Sequence, residues 1–225
     1  TAAVTARLEA LGPPPTRVGA TTQMLGLTAG YERIGELGVD RWLALLHERC
    51  PGANVLEIGC GNGEDSVKII AAGFTLTAFD LDPQAAATTQ ARVPQARVLC
   101  HDTRAPLPCS PHSLDAVVAG LSLHYFDWLT TETIMERIRT ALRPQGLFLC
   151  RLNSTDDHHF GASGHPEIEP RYYCVNGENK RFFDRTDLDR LFTAGWRTLA
   201  CTHYVTDKYT QPKAAWEIVL EKSPD

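Results

Sequence analysis

An apolar stretch that runs into three alternating glycines and then two acids constrains this chain more than any other feature. In Val55-Leu-Glu-Ile-Gly59-Cys-Gly61-Asn-Gly63-Glu64 a strand must turn sharply into a helix. Glycine lets the backbone make that turn and approach a ligand with no Cβ in the way. A dinucleotide fingerprint counted from Gly59 and Gly61 needs glycine at position 64, where the chain has Glu64. The third glycine comes one residue early, so a ligand at the helix start meets Glu64 and Asp65. Pyrophosphate wants a positive helix N-terminus; this loop suits a cationic ligand instead.

Apolar runs and helical periodicities alternate around the loop. Residues 1–30, with Pro13-Pro14-Pro15, read as a flexible or extended arm, and a helical pattern begins at Tyr31 and carries Trp42, Leu43, Leu45 and Leu46. Strands are expected at Asn54–Ile58, Thr75–Phe79, Ala96–Cys100, Ala116–Gly120 and Leu147–Leu152. Helices are expected at Glu64–Ala72, closed by Gly73, at Asp82–Ala91 with Pro83 in its first turn, and at Thr130–Leu142. Such alternation predicts a mostly parallel sheet with helices on both faces. Asn153–Arg181 shows little periodicity and reads as a lid or binding loop. After it, Thr186 caps a last helix, and Arg197–Tyr204 and Ala214–Leu220 read as closing strands. One domain over 1–225 results: an N-terminal arm and helix (1–50), a ligand-binding core (54–152), a lid or substrate loop (153–185) and a C-terminal helix with strands (186–225).

Three acids fall at the ends of successive strands. Glu57 lies two residues before Gly59, Asp80 ends the second strand, where it can accept both hydroxyls of a ribose, and Asp102 follows the third, where it can accept from an exocyclic amine. Ligands bind outside the carboxyl ends of strands in open parallel sheets, so acids and glycine loop converge on one crevice. Asp82 reads as the cap of the helix at Pro83.

In these features the chain resembles the class I S-adenosylmethionine-dependent methyltransferases: Glu57-x-Gly59-x-Gly61-x-Gly63, Thr77-Ala-Phe-Asp80-Leu-Asp-Pro83, His101-Asp102-Thr103, Asp115-Ala-Val-Val-Ala-Gly-Leu-Ser-Leu-His124-Tyr125-Phe126 and Leu142-Arg-Pro-Gln-Gly146-Leu-Phe-Leu. The likeness runs from Asn54 to Leu152. It implies a Rossmann-like three-layer αβα sandwich with S-adenosylmethionine as cofactor and S-adenosylhomocysteine as product. Gly59, Gly61 and Gly63, with Cys60 and Asn62 in the same loop, would line the methionine part, supported by Glu57. Asp80 would hold the ribose with Leu81 beside the adenine. Asp102 and Thr103 would meet the adenine edge, and Gly120 and Leu121 would present backbone near the sulfonium. The tail from Lys180 to Leu220 resembles small bacterial methyltransferases of the tellurite-resistance type, which implies a seven-stranded sheet whose last strand is antiparallel.

The acceptor side is less defined. His124 follows the fourth strand, either as a general base or as a histidine that shapes the pocket. Tyr125, Tyr172 and Tyr173 are candidate substrate contacts; Tyr172, Tyr173, Phe182 and Phe183 equally suit a small core beneath the loop. His158, His159 and His165 with Asp156 and Asp157 read as a solvated loop rather than a metal site.

What is missing narrows the acceptor. The chain lacks the Asn/Asp-Pro-Pro-Tyr/Phe box of DNA and glutamine N-methyltransferases. With 22 Lys+Arg against 27 Asp+Glu and no basic cluster, it has no electrostatic footprint for nucleic acid. No apolar run approaches a membrane span, and the N-terminus lacks a signal-peptide pattern. Seven scattered cysteines without a C-x-x-C pair read as free thiols in a cytoplasmic protein. A small-molecule metabolite or natural product, methylated on O, N or S, is the expected acceptor. A thiol or chalcogen-oxyanion detoxifying enzyme, or a non-catalytic cofactor-binding regulator, are the alternatives. Monomer and homodimer fit the sequence equally.

Overall fold

Residues 16–18, 31–34 and 39–224 are described by a computed structural model of the chain. The expected arm over 1–30 otherwise lies outside them. The main sheet holds nine strands in the order β1-β2-β11-β12-β7-β6-β3-β4-β5. Its parallel heart is β3 (Asn54–Ile58), β4 (Thr75–Asp80), β5 (Arg97–Cys100), β6 (Leu114–Gly120) and β7 (Leu142–Asn153). β12 (Lys213–Lys222) joins β7 antiparallel, and β11 (Trp196–Thr206) joins β12 antiparallel. These are the seven strands anticipated from the sequence. Beyond them β2 (Tyr31–Ile34) pairs parallel with β11, and β1 (Thr16–Val18) pairs antiparallel with β2. Tyr31 therefore opens a strand, not a helix; α1 begins only at Asp40 and ends at Arg49.

Strand periodicity sorts the core into two layers, because successive side chains point to opposite faces. Val55, Ala116, Val118, Leu147, Leu149 and Val219 face α1, α2 (Glu64–Ala71) and Val93, which closes α3 (Pro83–Arg92). Leu56, Val117, Phe148, Cys150 and Ile218 face α4 (Trp128–Ala141) and α5 (Arg185–Leu191). The helix ends follow local chemistry. Gly73 takes φ +83° just past α2, and the Asp82 carboxylate accepts from the Gln84 N–H at the start of α3 at 2.9 Å. The cap of α5 is Asp184 rather than Thr186. Its carboxylate and that of Asp187 bond each other's backbone N–H in a capping box.

The segment expected to be irregular is mostly ordered. A short 3-10 turn (His158–Phe160) leads into an antiparallel meander of β8 (Glu167–Glu169), β9 (Tyr172–Val175) and β10 (Glu178–Arg181). Arg181 anchors this meander: its side chain is buried between Trp128 and Tyr172, and its Nε donates to the Phe126 carbonyl at 3.0 Å. No helix among the described residues is long and apolar enough to cross a membrane.

Candidate active site

The glycine loop leaves β3 with Gly59, Gly61 and Gly63 all at positive φ, +72°, +51° and +78°. Each turn is braced. The Asp80 carboxylate accepts the Gly61 N–H at 2.9 Å and the Asp82 N–H at 3.0 Å. Thr89 of α3 donates to the Gly61 carbonyl at 2.8 Å. A Cβ on Gly63 would come within 2.8 Å of the Thr89 hydroxyl, so α3 can close on the loop only because that residue is glycine.

Beside the loop lies a cleft of about 240 Å³ at the carboxyl ends of β3, β6 and β7. Gly59, Cys60, Gly61 and Asn62 line it with Glu57, Glu64 and Asp65. Gly120 at the end of β6 and Leu121 just after it meet it from the middle, and Arg151, Tyr204, Thr206, Lys208 and Tyr209 form the opposite wall. Glu57 is buried and takes a hydrogen bond from the Ser66 hydroxyl. Burial pushes its carboxyl up to about 8 despite that bond, with Asp65 and Asp80 pushing the same way. Burial also raises the Asp65 carboxyl, opposed by Arg151 and Lys208, and lifts the Cys60 thiol to about 11, which leaves it protonated and unreactive. Buried carboxyls such as Glu57 and Asp65, whose charged forms burial disfavours, are chemically matched to a cation.

Seven of the expected cofactor contacts thus line one cleft: Glu57, Gly59, Cys60, Gly61, Asn62, Gly120 and Leu121. Gly63 stands behind them against Thr89. Asp80 and Leu81 lie on the adjoining side, Asp80 holding the loop and Leu81 exposed as an apolar surface. Asp102 is held by the Arg104 guanidinium in a two-pronged pair, which keeps its carboxyl below the usual range. Thr103 sits in the turn between them. An adenine amine would have to share Asp102 with Arg104.

The acceptor-side expectations fare differently. His124 does not line the cleft: it is buried, its ring stacks 4.2 Å from that of Tyr125, and its Nδ1 has no partner. Burial, with Lys213 and Lys180 nearby, lowers its pKa to about 3, so the imidazole is neutral at ordinary pH and a weak base. Tyr125 is partly exposed. Tyr172 is instead buried, its hydroxyl donating to the Tyr125 carbonyl at 2.9 Å, and Tyr173 packs on Phe182 in the small core under the meander. Both tyrosines belong to packing, not to the cleft wall. Asp157, expected in a solvated loop, is buried and paired with Lys213 at 2.7 Å.

Sequence reasoning missed the opposite wall altogether. Arg151 is buried, bonded to Glu217 at 3.0–3.1 Å and stacked 4.1 Å over Trp42. A charged residue inside the apolar run Leu147-Phe-Leu-Cys-Arg151-Leu was a usable signal, as was Glu217 inside Trp216-Glu-Ile-Val-Leu.

A methyltransferase domain family matches residues 55–146, the stretch that builds both loop and strand ends. Residues 55–146 therefore resemble a methyltransferase domain. Among relatives, an uncharacterized methyltransferase of Synechocystis is 29% identical over 53% of this chain and 53% of its own. A probable S-adenosylmethionine-dependent methyltransferase of Mycolicibacterium smegmatis is 34% identical over 46% of this chain and 39% of its own. The chain therefore spans about half, or less, of each of these two relatives. The fold is shared more widely. A Methanosarcina mazei S-adenosylmethionine-dependent methyltransferase superposes with TM-score 0.69 at 16% identity, covering 80% of this chain and 98% of its own. The Burkholderia thailandensis 1,6-didemethyltoxoflavin-N1-methyltransferase, solved with 1,6-didemethyltoxoflavin and S-adenosylhomocysteine, gives 0.62 at 20% identity, covering 81% and 76%.

Proposed function

We propose that this protein transfers the methyl group of S-adenosylmethionine to an oxygen, nitrogen or sulfur atom of a small-molecule metabolite or natural product. The observation that carries this reading is the cleft itself, where a glycine cradle, a row of acids and the open Gly120 meet at the ends of neighbouring strands. When bound, the cofactor supplies an activated methyl on a sulfonium. The chain's own work is to bind, align and keep water out, and alignment carries most of the rate in such a displacement. Glu57, Gly59, Cys60, Gly61 and Asn62 would hold the methionine end, Asp80 the ribose, Leu81, Asp102 and Thr103 the adenine, and Gly120 and Leu121 the reacting centre. Segment 153–185 would cover the acceptor, with Tyr125 facing it. His124, a neutral imidazole buried away from the cleft, would shape the acceptor side rather than serve as a base. A fold neighbour solved with both 1,6-didemethyltoxoflavin and S-adenosylhomocysteine bound supports a small acceptor here.

Calorimetry with S-adenosylhomocysteine tests the core of the proposal. Binding at micromolar concentration is expected, with NADH binding far more weakly. No binding of S-adenosylhomocysteine would sink the reading, and binding without methyl transfer to any member of an acceptor library would leave a regulator in its place.

A further inference from the structure

Two aromatic rings stand by the cleft, fixed in place yet left uncovered. Tyr125 is 44% exposed and Tyr209 40%, while most large apolar side chains among the described residues are buried. Tyr209, in the turn between β11 and β12, lines the cleft itself. Tyr125 comes four residues after Leu121, which lines it too. Exposed aromatic surface gathered at a concave site marks a place where an apolar group docks.

Neither ring is loose. Leu121 turns the chain out of β6 at φ +59°, a left-handed conformation that leucine holds only where its surroundings impose it. Its N–H donates to the Arg151 carbonyl at 3.1 Å. Further on, the Arg181 N–H donates to the His124 carbonyl at 2.7 Å, and the Tyr172 hydroxyl to the Tyr125 carbonyl at 2.9 Å. The Tyr125 ring rests against the His124 imidazole, 4.2 Å between centroids. On the other wall Phe160 braces Tyr209 edge to face at 5.8 Å. Partial burial, then Glu178, Asp80 and Tyr209, raise the pKa of the Tyr125 phenol, so Tyr209 lies near it and the phenol stays protonated.

Rings held this way distinguish ligands by shape. Saturated carbon gains only buried area against them. A planar ring gains in addition from matching negative face to positive edge, offset or edge-on, with centres about 4.5–7 Å apart. The adenine is assigned above to Leu81, Asp102 and Thr103, which leaves these rings for the acceptor. We propose that Tyr125 and Tyr209 form an aromatic clamp for the methyl acceptor, which is a planar aromatic or heteroaromatic molecule. His124 and Phe160 are positioning residues that back the two rings. This rests on the methyltransferase reading above and narrows its acceptor from small molecules in general to flat ones.

The test uses the intact chain saturated with S-adenosylhomocysteine. Calorimetry compares 2-naphthol with 2-decalol, which keeps the carbon skeleton and hydroxyl but has no π face. 2-Naphthol should bind about tenfold more tightly or better, as two favourable ring pairs would give. In Tyr125→Leu and in Tyr209→Leu, which keep apolar bulk without a ring, that ratio should fall several-fold. In Tyr125→Phe and Tyr209→Phe, which keep the ring, it should be retained. Melting temperatures confirm that each variant is folded. Equal affinities for the two probes in the unmodified protein would overturn the proposal, as would no binding of 2-naphthol or a ratio that the leucine variants leave unchanged. If the unmodified protein binds no S-adenosylhomocysteine, the functional reading fails first, and that outcome is visible before either probe is added.

Discussion

Glu57 shows how a single side chain can carry both a folding cost and a binding role. Its carboxyl is buried beside two other acids and rises to about 8 from an ordinary 4.5. The folded protein therefore keeps a proton that the unfolded chain gives up. Stability from this group is unaffected below about 4.5, falls as pH rises through the interval between the two values, and is fully reduced above about 8. Glu57→Gln keeps an oxygen for the Ser66 hydroxyl without the buried charge. Its melting temperature relative to the unmodified protein should be similar at pH 4.5 and several degrees higher at pH 8.5. An offset that does not change between those two pH values would show that Glu57 is not held protonated. His124 carries the opposite lesson. Its place in the sequence allowed either a base or a pocket-shaping residue, and only the structure reveals that Lys180 and Lys213 converge on it from distant segments.

At the level of elements, what could be read from the sequence was what local chemistry dictates. Strands β3, β4 and β6 announce themselves as apolar runs, and α2 and α3 by their caps, so all were located within a few residues. The exceptions have physical reasons. Tyr31–Ile34 has no apolar alternation of its own and becomes a strand only because β11 offers it an edge, Tyr204–Thr206 pairing with Glu32–Ile34. The meander β8–β10 is likewise made by tertiary support from Arg181. The glycine loop is a firmer case, because its conformation is written into residue types. Gly59 sits at φ +72°, and a Cβ there would collide with the Ser122 side chain, whose hydroxyl donates to the Ile58 carbonyl. Gly52 has a similar φ, +70°, with open space around it. Alanine at either position pays the left-handed strain of about 1–2 kcal/mol. At Gly59 it adds an overpacking cost of about 1–3 kcal/mol. Urea unfolding should therefore rank Gly59→Ala as clearly more destabilising than Gly52→Ala. Equal losses would mean that Ser122 can move aside and that the contact between β3 and the segment after β6 is looser than its geometry implies.

Across the whole molecule, the cleft depends on chain segments that meet far apart in sequence, and buried ion pairs fix where they meet. Glycine loop and acids lie within fifty residues of one another, which made them legible; Arg151, Tyr204 and Lys208 reach the same cleft only through the register of β7, β12 and β11. The segment after β7 is tied to the start of β12 by Asp157 and Lys213, at 2.7 Å, with Asp157 also accepting the Ala214 N–H at 3.1 Å and Lys213 lying 4.7 Å over the Phe160 ring. Burial raises the Asp157 carboxyl and lowers the Lys213 amine even though each has the other as partner. Desolvation thus exceeds their attraction, and the pair specifies position more than it adds stability. Removing one member strands the other. Lys213→Met and Asp157→Asn should each lose about 3–5 kcal/mol of unfolding free energy, the range for breaking a buried pair. The double variant should lose clearly less than the two losses added, with a coupling of about 1 kcal/mol or more in a double-mutant cycle. Strict additivity would show that the two groups do not depend on each other. In that case the segment after β7 must be held in place by Arg181 and the meander alone.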